Sequence, residues 1–267
     1  MQVKAPFSKK IIIDKNAGAT DIYWLGGGGF LIVSRGAALM IDPILTEEDA
    51  GMRHFYEIPL SPDDIEPDFV LYTHPDSDHL GIETAKFFNK TVFGATLPSY
   101  EKLTRAGIEP ERVLTYKDGH RFSAGSVSVE VFPADHPWQL VNPKFGDPFR
   151  DGECCGYILN TDDARMYFPG DTRLMKAHYG LSNVDFIALD ISASEYHLGA
   201  RGAVTLANIL ETAHILPCHY GTYDAPDSPA FNGDPMLLYG PVINTRERVL
   251  HYGIGQRVRF INRSLVI

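Results

Sequence analysis

The feature that most constrains this chain is a short polar stretch, Thr73 to Gly81, in which two histidines and two aspartates fall within six positions. These residues are His74, Asp76, Asp78 and His79. An apolar run at 68–72 precedes the stretch and predicts a buried strand, and residues 80–88 predict a helix. A strand end that leads into a helix is where α/β folds place their binding groups.

Imidazoles and carboxylates together are the ligands that proteins use for zinc, iron or manganese. An alternative interpretation is that the aspartates cap the helix and that the histidines are incidental. One helix start needs one capping side chain, whereas this stretch offers four imidazole or carboxylate groups. The sequence therefore favours a metal site over a capping motif.

Composition narrows the functional classes. Hydrophobic residues make up 44% of the 267 residues, enough for one large α/β domain spanning 1–267. The net charge of −10 argues against nonspecific nucleic-acid binding, which needs a basic surface. No apolar run reaches the ~18 residues of a membrane helix, and three cysteines predict no disulfide framework. We expect a reduced, cytoplasmic protein with a small-molecule substrate and no nucleic-acid or membrane partner. The sequence leaves the oligomeric state open, a homo-oligomer included.

Short β-branched and aromatic runs predict strands at 20–24, 30–33 and 37–41. A run of four glycines joins the first two. Glycine runs occur in phosphate-binding loops, but no P-loop lysine follows here, so a tight hairpin that passes close to other backbone is favoured. Asp42 follows the third strand, where it would either orient a ligand histidine or cap the next turn.

Three further predicted strands each lead to a histidine or an aspartate. They are strand 127–131 before His136, strand 165–168 before Asp171, and strand 215–218 before His219. Predicted helices at 99–106 and 203–212 are interspersed with the strands, and residues 242–267 are predicted to end in a helix and a final strand. This pattern indicates two sheets sandwiched between helices.

The order of these groups resembles the metallo-β-lactamase superfamily. The first family motif, H-x-H-x-D-H, corresponds to residues 74–79, which read His-Pro-Asp-Ser-Asp-His. The later motifs are a lone histidine, a G-D-[TS] aspartate and a final histidine. They correspond to His136, to Asp171 in Gly170-Asp171-Thr172, and to His219.

The resemblance extends from about residue 20 to about residue 223. Residues 22–43 and 184–222 are similar to the L-ascorbate-6-phosphate lactonase-like branch of the superfamily. The resemblance implies a four-layer αββα sandwich with two divalent metal ions, zinc, manganese or iron, at one edge of the sheets.

Carried over by position, the family motifs imply a ligand set for each ion. The first ion would be bound by His74, Asp76 and His136, the second by Asp78, His79 and His219, and Asp171 would bridge the two. The chain departs from the family pattern at Asp76, where the motif has its second histidine. Three carboxylates and a bridging hydroxide cancel the charge of two divalent ions, which favours iron or manganese relative to zinc. The alternative is that Asp76 does not reach the first ion and that this site is weak or empty.

Two ions that ionise a water imply a metal-dependent hydrolase. The resemblance points to a lactone, a phosphoester or a related ester or amide of a small substrate, anionic substrates included. Asp78 or Asp171 would accept the proton of the attacking water. His197, which follows a strand predicted at 184–189, is a candidate substrate contact or general acid, and its alternative is an ordinary surface histidine.

Aromatic and basic residues near the motifs are candidate substrate contacts. Tyr220 and Tyr223 flank His219 and either line the pocket or pack in the core. Trp138, in the aperiodic segment 137–151, either covers the site or supports the structure. Arg150 and Arg201 would be contacts for an anionic group, by analogy with the lactonase-like branch alone.

Two other functions stay open from the sequence. A dinuclear iron redox protein is favoured by Asp76, because the flavodiiron proteins resemble this chain in having a carboxylate at that motif position. They also contain a flavodoxin-like domain, for which 267 residues leave no room. The third possibility is a non-catalytic metal-binding scaffold.

Overall fold

The computed structural model describes residues 2–14, 17–137 and 152–266. In chain order its strands are β1 Thr20–Gly26, β2 Gly29–Ser34, β3 Ala37–Ile41, β4 Phe69–Tyr72, β5 Val92–Ala95, β6 Val113–Thr115, β7 Arg121–Ala124, β8 Val127–Pro133, β9 Cys155–Asn160, β10 Arg165–Phe168, β11 Phe186–Asp190, β12 His214–Cys218, β13 Arg257–Ile261 and β14 Ser264–Val266. They form an eight-stranded sheet, β14-β13-β1-β2-β3-β4-β5-β6, and a six-stranded sheet, β12-β11-β10-β9-β8-β7.

The helices lie outside the two sheets. They are α1 Ile82–Phe87, α2 Leu97–Arg105, α3 Gly199–Ile209 and α4 Thr245–Arg248, with short 3₁₀ turns at Pro62–Asp64, Pro110–Arg112, Lys176–Gly180, Pro229–Phe231 and Pro235–Leu238. Helices α1 and α2 contribute Ala85 and Leu103 to the core on the outer face of the eight-stranded sheet. Helix α3 packs on the six-stranded sheet through contacts with β11. The αββα sandwich implied by the sequence is confirmed.

Successive residues of a strand pack alternately into two different hydrophobic cores. In β1, Ile22 and Trp24 join the core between the sheets, whereas Tyr23 and Leu25 join the core beneath α1 and α2. Successive strand residues face opposite sides of a sheet, so a strand that is covered on both faces must be apolar throughout. This explains why the central strands are continuous apolar runs without polar alternation.

Parallel pairing places the important strand ends together. In the eight-stranded sheet β3, β4, β5 and β6 run parallel, and in the six-stranded sheet β10, β11 and β12 do so. The carboxyl ends of parallel neighbours lie at the same edge of a sheet. Polar residues that follow these strands therefore emerge side by side. Within the described part of the chain, no helix is long and apolar enough to cross a membrane.

The end of the chain differs from the sequence prediction. Instead of one final strand, β13 and β14 form an antiparallel hairpin, and β13 also pairs with β1. Its turn is Asn262–Arg263, both with positive φ, at 48° and 64°. A type I′-like turn without glycine gives little sequence signal. The first helix also starts two residues later than predicted, at Ile82.

A buried arginine secures the carboxyl end of α3. The Arg248 guanidinium, 4% exposed, donates hydrogen bonds to the carbonyl oxygens of Ala207 and Leu210, each at 2.6 Å, and of Ala213 and Ile243, each at 2.9 Å. The last carbonyls of a helix lack partners within the helix, so one side chain here satisfies several of them.

Replacing this arginine tests that role. Arg248→Met should lower the free energy of unfolding by about 2–4 kcal/mol, because it leaves several buried carbonyl oxygens without a donor. Arg246→Met, an exposed neighbour on the same helix, should change it by less than about 0.5 kcal/mol. Chemical denaturation of both variants measures the difference, and equal stabilities would contradict the role of Arg248.

Candidate metal centre

Both sheets contribute to one cluster of imidazoles and carboxylates at their shared edge. Asp42 follows β3 and Thr73 and His74 follow β4, in the eight-stranded sheet. Asp171 follows β10 and His219 follows β12, in the six-stranded sheet. The two edges are joined directly, because the backbone N–H of Cys155 at the start of β9 donates to the carbonyl oxygen of Thr73 at 2.9 Å.

One part of the cluster, which we call the Asp78 group, contains Asp78, His79 and His219. Asp78 Oδ2 lies 3.5 Å from His79 Nε2 and 3.4 Å from His219 Nε2. The two Nε2 atoms are 3.0 Å apart. With Asp171 these groups bring four ligand atoms within 4.8 Å of one another. They are the residues that the sequence assigns to the second ion.

The other part, which we call the Asp76 group, contains His74, Asp76 and His136. Asp76 Oδ2 lies 3.5 Å from both His74 Nε2 and His136 Nε2. These are the residues that the sequence assigns to the first ion. Asp76 Oδ2 therefore lies beside the Nε2 atoms of both histidines.

Asp171 stands between the two groups. Its Oδ1 lies 3.2 Å from His79 Nε2 and 3.3 Å from His219 Nε2, on the side of the Asp78 group. Its Oδ2 lies 3.8 Å from His74 Nε2, on the side of the Asp76 group. A carboxylate whose two oxygens face two different ligand sets has the geometry of a bridging ligand.

The hydrogen bonds around the histidines determine which ring nitrogen faces the cluster. His219 Nδ1 lies 2.9 Å from the carbonyl oxygen of Ala230, and His136 Nδ1 lies 3.1 Å from that of Tyr196. A carbonyl oxygen only accepts, so each Nδ1 carries a hydrogen, and in the neutral ring Nε2 then presents a lone pair. His79 Nδ1 is paired with Asp42 Oδ2 at 2.8 Å in the same way.

Nitrogen lone pairs that converge with carboxylate oxygens need a cation between them. His79 Nε2 and His219 Nε2 lie 3.0 Å apart, with Asp78 and Asp171 beside them. The donor set of imidazole nitrogen and carboxylate oxygen is the one that zinc, manganese and iron accept in proteins. The residues present thus fit a pair of divalent cations.

Asp42 orients two of the histidines, which settles the choice between orientation and turn capping. Its Oδ2 accepts from His79 Nδ1 and, at 2.5 Å, from the Thr73 hydroxyl. That hydroxyl in turn accepts from His74 Nδ1 at 2.9 Å. Carboxylates that hold the outer nitrogen of a ligand histidine fix its tautomer and raise its basicity.

Charge compensation is visible in the pKa values of the cluster. Burial lowers the pKa of His219, but the carboxylates of Asp171 and Asp78 raise it to about 10. Burial raises the pKa of Asp171, but the imidazoles of His197, His219 and His79 hold it well below its usual range. Without metal, the carboxylates attract a proton onto His219, so this part of the cluster is a site for positive charge.

The glycine run makes room for the imidazole ring of His79. A Cβ atom at Gly28 would lie 2.5 Å from Cε1 of His79, far inside van der Waals contact. The run forms the tight turn between β1 and β2 that the sequence predicts, and the carbonyl oxygen of Gly27 accepts from the backbone N–H of His219 at 3.1 Å. His219 itself has a positive φ of 60°, a conformation that costs free energy for a residue with a side chain.

His197 lies inside the cluster and not on the surface. It is 4% exposed, and its Nε2 lies 3.5 Å from Asp171 Oδ2. Its Nδ1 is 2.7 Å from Oδ2 of Asp190, the last residue of β11. Asp190 was missed by the sequence reasoning, although an aspartate at a strand end is the same signal that identified Asp42.

The structure places the remaining candidates as follows. Tyr220 is buried and its ring stacks on Trp24 in the core between the sheets, with centroids 5.8 Å apart. Tyr223 is fully buried and packs with Ile44 in a small separate cluster. Arg201 is an exposed residue of α3. Trp138 and Arg150 lie outside the described residues.

The contact between Gly28 and His79 gives a direct test of the site. Gly28→Ala should weaken zinc or manganese binding about 10–100-fold, because the added methyl group displaces a ligand ring. Gly202→Ala is the matched control, since its Cβ would meet its nearest neighbours at an ordinary 3.5 Å. Isothermal titration of the metal-free proteins measures both, and equal affinities would show that His79 does not bind the ion.

Comparisons with known proteins identify the family of this chain. The chain is 29% identical over 220 residues to a UPF0173 metal-dependent hydrolase of Methanopyrus kandleri (80% of this chain, 87% of the relative). It is 30% identical over 207 residues to one of Archaeoglobus fulgidus (76% and 84%). The solved structure of Igni18, a metallo hydrolase from Ignicoccus hospitalis, shares the fold, with a TM-score of 0.69, 20% identity, and coverage of 91% of this chain and 99% of that one. Residues 38–220 match the family described as Beta-lactamase superfamily domain, and the chain belongs to the metallo-β-lactamase superfamily.

Proposed function

We propose that this protein is a metal-dependent hydrolase with two divalent ions. The substrate we propose is a small molecule with a lactone, a phosphoester or a related ester or amide bond. The proposal rests on one observation, the division of the two Asp171 oxygens between the Asp76 group and the Asp78 group. Two ions held by one carboxylate stand close enough to act on one substrate bond.

The ligands would divide between the ions as the motif order implies. The first ion would be bound by His74, Asp76 and His136, the second by Asp78, His79 and His219, with Asp171 shared. When bound, such ions supply a hydroxide at neutral pH and polarise the carbonyl or phosphoryl oxygen under attack.

Residues of the chain fix the hydrogens on the histidine Nδ1 atoms and would accept the proton of the attacking water. Asp42 and the carbonyl oxygens of Ala230 and Tyr196 hold the Nδ1 hydrogens, so that every Nε2 faces inward. An oxygen of Asp78 or Asp171 would accept the proton of the attacking water, because carboxylates in this position are ionised. The burial of both aspartates keeps bulk water from competing for that proton.

The relatives support the reaction class and do not identify the substrate. The two curated relatives are named metal-dependent hydrolases and share most of their length with this chain. Neither name specifies a bond or a leaving group. The preference for a lactone or phosphoester comes from the similarity of residues 22–43 and 184–222 to the lactonase-like branch.

A dinuclear iron redox protein is the second candidate, and the position of Asp76 favours it. Its carboxylate lies among the ligand atoms of the Asp76 group, which makes this position richer in oxygen than the family motif. Iron accepts such a set readily. An oxidised diiron protein absorbs in the near ultraviolet whereas a zinc protein does not, so metal analysis with a spectrum separates the two. A scaffold without activity is the third candidate.

The first experiment combines activity with metal content. Protein reloaded with zinc, manganese or iron should hydrolyse at least one member of a panel of lactones, thioesters and phosphodiesters, and the metal-free protein should not.

Asp171→Ala should lose both ions and all turnover, because it is shared, whereas His219→Ala should lose mainly one ion. The exposed Asp162→Ala is the control and should keep both. Full metal content in Asp171→Ala would refute the bridging role, and no turnover on any substrate would refute the hydrolase.

The metal preference tests the assignment of Asp76. Asp76→His should raise the affinity for zinc relative to manganese about tenfold, because it replaces a hard anionic oxygen by a neutral imidazole nitrogen. Competition between the two ions for the metal-free protein measures the ratio. Asp162→His makes the same chemical change at an exposed position. If the ratio were the same in the wild type and both variants, Asp76 would not be a ligand.

A further inference from the structure

His197 occupies a position that the family motifs do not explain. The sequence predicts that it contacts the substrate or donates a proton to the leaving group. Its ring stands between two proposed ligand rings, with centroids 5.2 Å from His136 and 5.2 Å from His219. Both of these rings belong to the proposed metal centre, so the His197 ring lies directly beside it.

Asp190 fixes the ring as the other ligand histidines are fixed. One oxygen of Asp190 accepts from the backbone N–H of Ser192 at 2.8 Å, and the other is 2.7 Å from His197 Nδ1. With its hydrogen held on Nδ1 by this carboxylate, the ring presents the lone pair of Nε2 to the cluster. Asp42 does the same for His79, and a carboxylate–histidine–metal arrangement is the usual setting of a metal ligand.

The loop that carries His197 also orients His136. The carbonyl oxygen of Tyr196, the residue before His197, accepts from His136 Nδ1 at 3.1 Å. The backbone N–H of His197 donates to the carbonyl oxygen of Ser194 at 3.3 Å, so the loop folds back on itself here. The same short segment therefore sets the direction of two imidazoles at the Asp76 group.

The distances around the Asp76 group fit a shell of five ligand atoms. Two atoms bound at about 2.1 Å to one ion lie roughly 3.0–3.8 Å apart when the angle between them is about 90–130°. His197 Nε2 lies 3.5 Å from Asp171 Oδ2, and that oxygen lies 3.8 Å from His74 Nε2. Asp76 Oδ2 lies 3.5 Å from His74 Nε2 and 3.5 Å from His136 Nε2. The ligand atoms of His136, Asp171 and His197 also lie within 4.8 Å of one another.

We propose that His197 Nε2 is a direct ligand of the ion at the Asp76 group, beside His74, Asp76, His136 and Asp171. The separation of 3.5 Å between His197 Nε2 and Asp171 Oδ2 is longer than the 2.7–3.2 Å of a good N–H···O hydrogen bond and fits two ligands of one ion. His197 thereby returns to the site the imidazole that Asp76 removes from the motif. This inference rests on the proposed metal centre and does not depend on which bond the protein hydrolyses.

Metal binding tests the inference without an activity assay. In His197→Ala, the affinity of the ion at the Asp76 group should fall at least about 100-fold, and the chain should keep one tightly bound ion. With Co²⁺ in place of the native ion, loss of a ligand should change the visible absorption of that ion. Free imidazole added to the buffer should restore the spectrum, because it fills the space that the side chain leaves.

Two further variants keep the result interpretable. Asp190→Asn preserves the shape of the site and weakens the support of the ring, so it should lower the same affinity about tenfold. His251→Ala is the control, since His251 is exposed and stacks on Tyr239 away from the cluster. Its metal content and cobalt spectrum should match the wild type.

The results of these experiments distinguish a metal-ligand role of His197 from a proton-donor role. Wild-type affinity for both ions and an unchanged cobalt spectrum in His197→Ala, with a lower kcat alone, would overturn the inference and identify a general acid. Two tightly bound ions in a wild type that hydrolyses nothing would refute the proposed reaction, while the ligand assignment would stand on its own measurements. A wild type that binds no ion would refute both.

Discussion

The site depends on the buried carboxylate of Asp171, because its two oxygens face different sets of imidazoles. Burying an ionised carboxylate is expensive unless positive or hydrogen-bonding groups surround it. His79, His219 and His197 provide that surrounding, and they hold its pKa well below the usual range. Each imidazole nearby is stabilised by the same carboxylate, so the cluster persists only as a set.

Two further carboxylates fix the orientation of the imidazoles in this cluster. Asp42 at the end of β3 holds His79, and Asp190 at the end of β11 holds His197. The two aspartates come from different sheets and do the same thing, which is to fix the hydrogen on Nδ1 and turn Nε2 inward. Asp42 does so with a positive φ of 43°, a strained conformation that other contacts of the fold must offset.

Much of the fold and of the cluster could be predicted from the sequence, because strand ends are local signals. A buried apolar run followed by His or Asp identified His74, His136, Asp171 and His219. Parallel pairing aligns the strands that precede His74, Asp171 and His219, whereas the strand before His136 pairs antiparallel with β9. Asp190 directly follows the strand predicted at 184–189, so it had the same local signal and was nevertheless missed. The direction of a side chain in a loop depends on distant hydrogen bonds, which no local pattern contains.

The same limit applies to turns and to single aromatic residues. The Asn262–Arg263 turn adopts left-handed conformations without glycine, so the final hairpin had no recognisable signal. For Tyr220 the sequence could not separate a pocket wall from core packing. Its contact with Trp24 arises from two segments far apart in the chain, and the burial that decides its environment exists only after folding.

Asp76 and His197 together connect ligand number with the choice of metal. A carboxylate in place of the motif histidine lowers the net charge at the Asp76 group by one, and a neutral imidazole from His197 does not restore it. In the proposed centre His197 adds a further donor atom, which would raise the number of protein ligands of this ion to five. Zinc in proteins prefers four ligands, whereas manganese and iron accept larger, oxygen-richer shells. The charge and the ligand number therefore favour the same ions, although they come from residues in different parts of the chain.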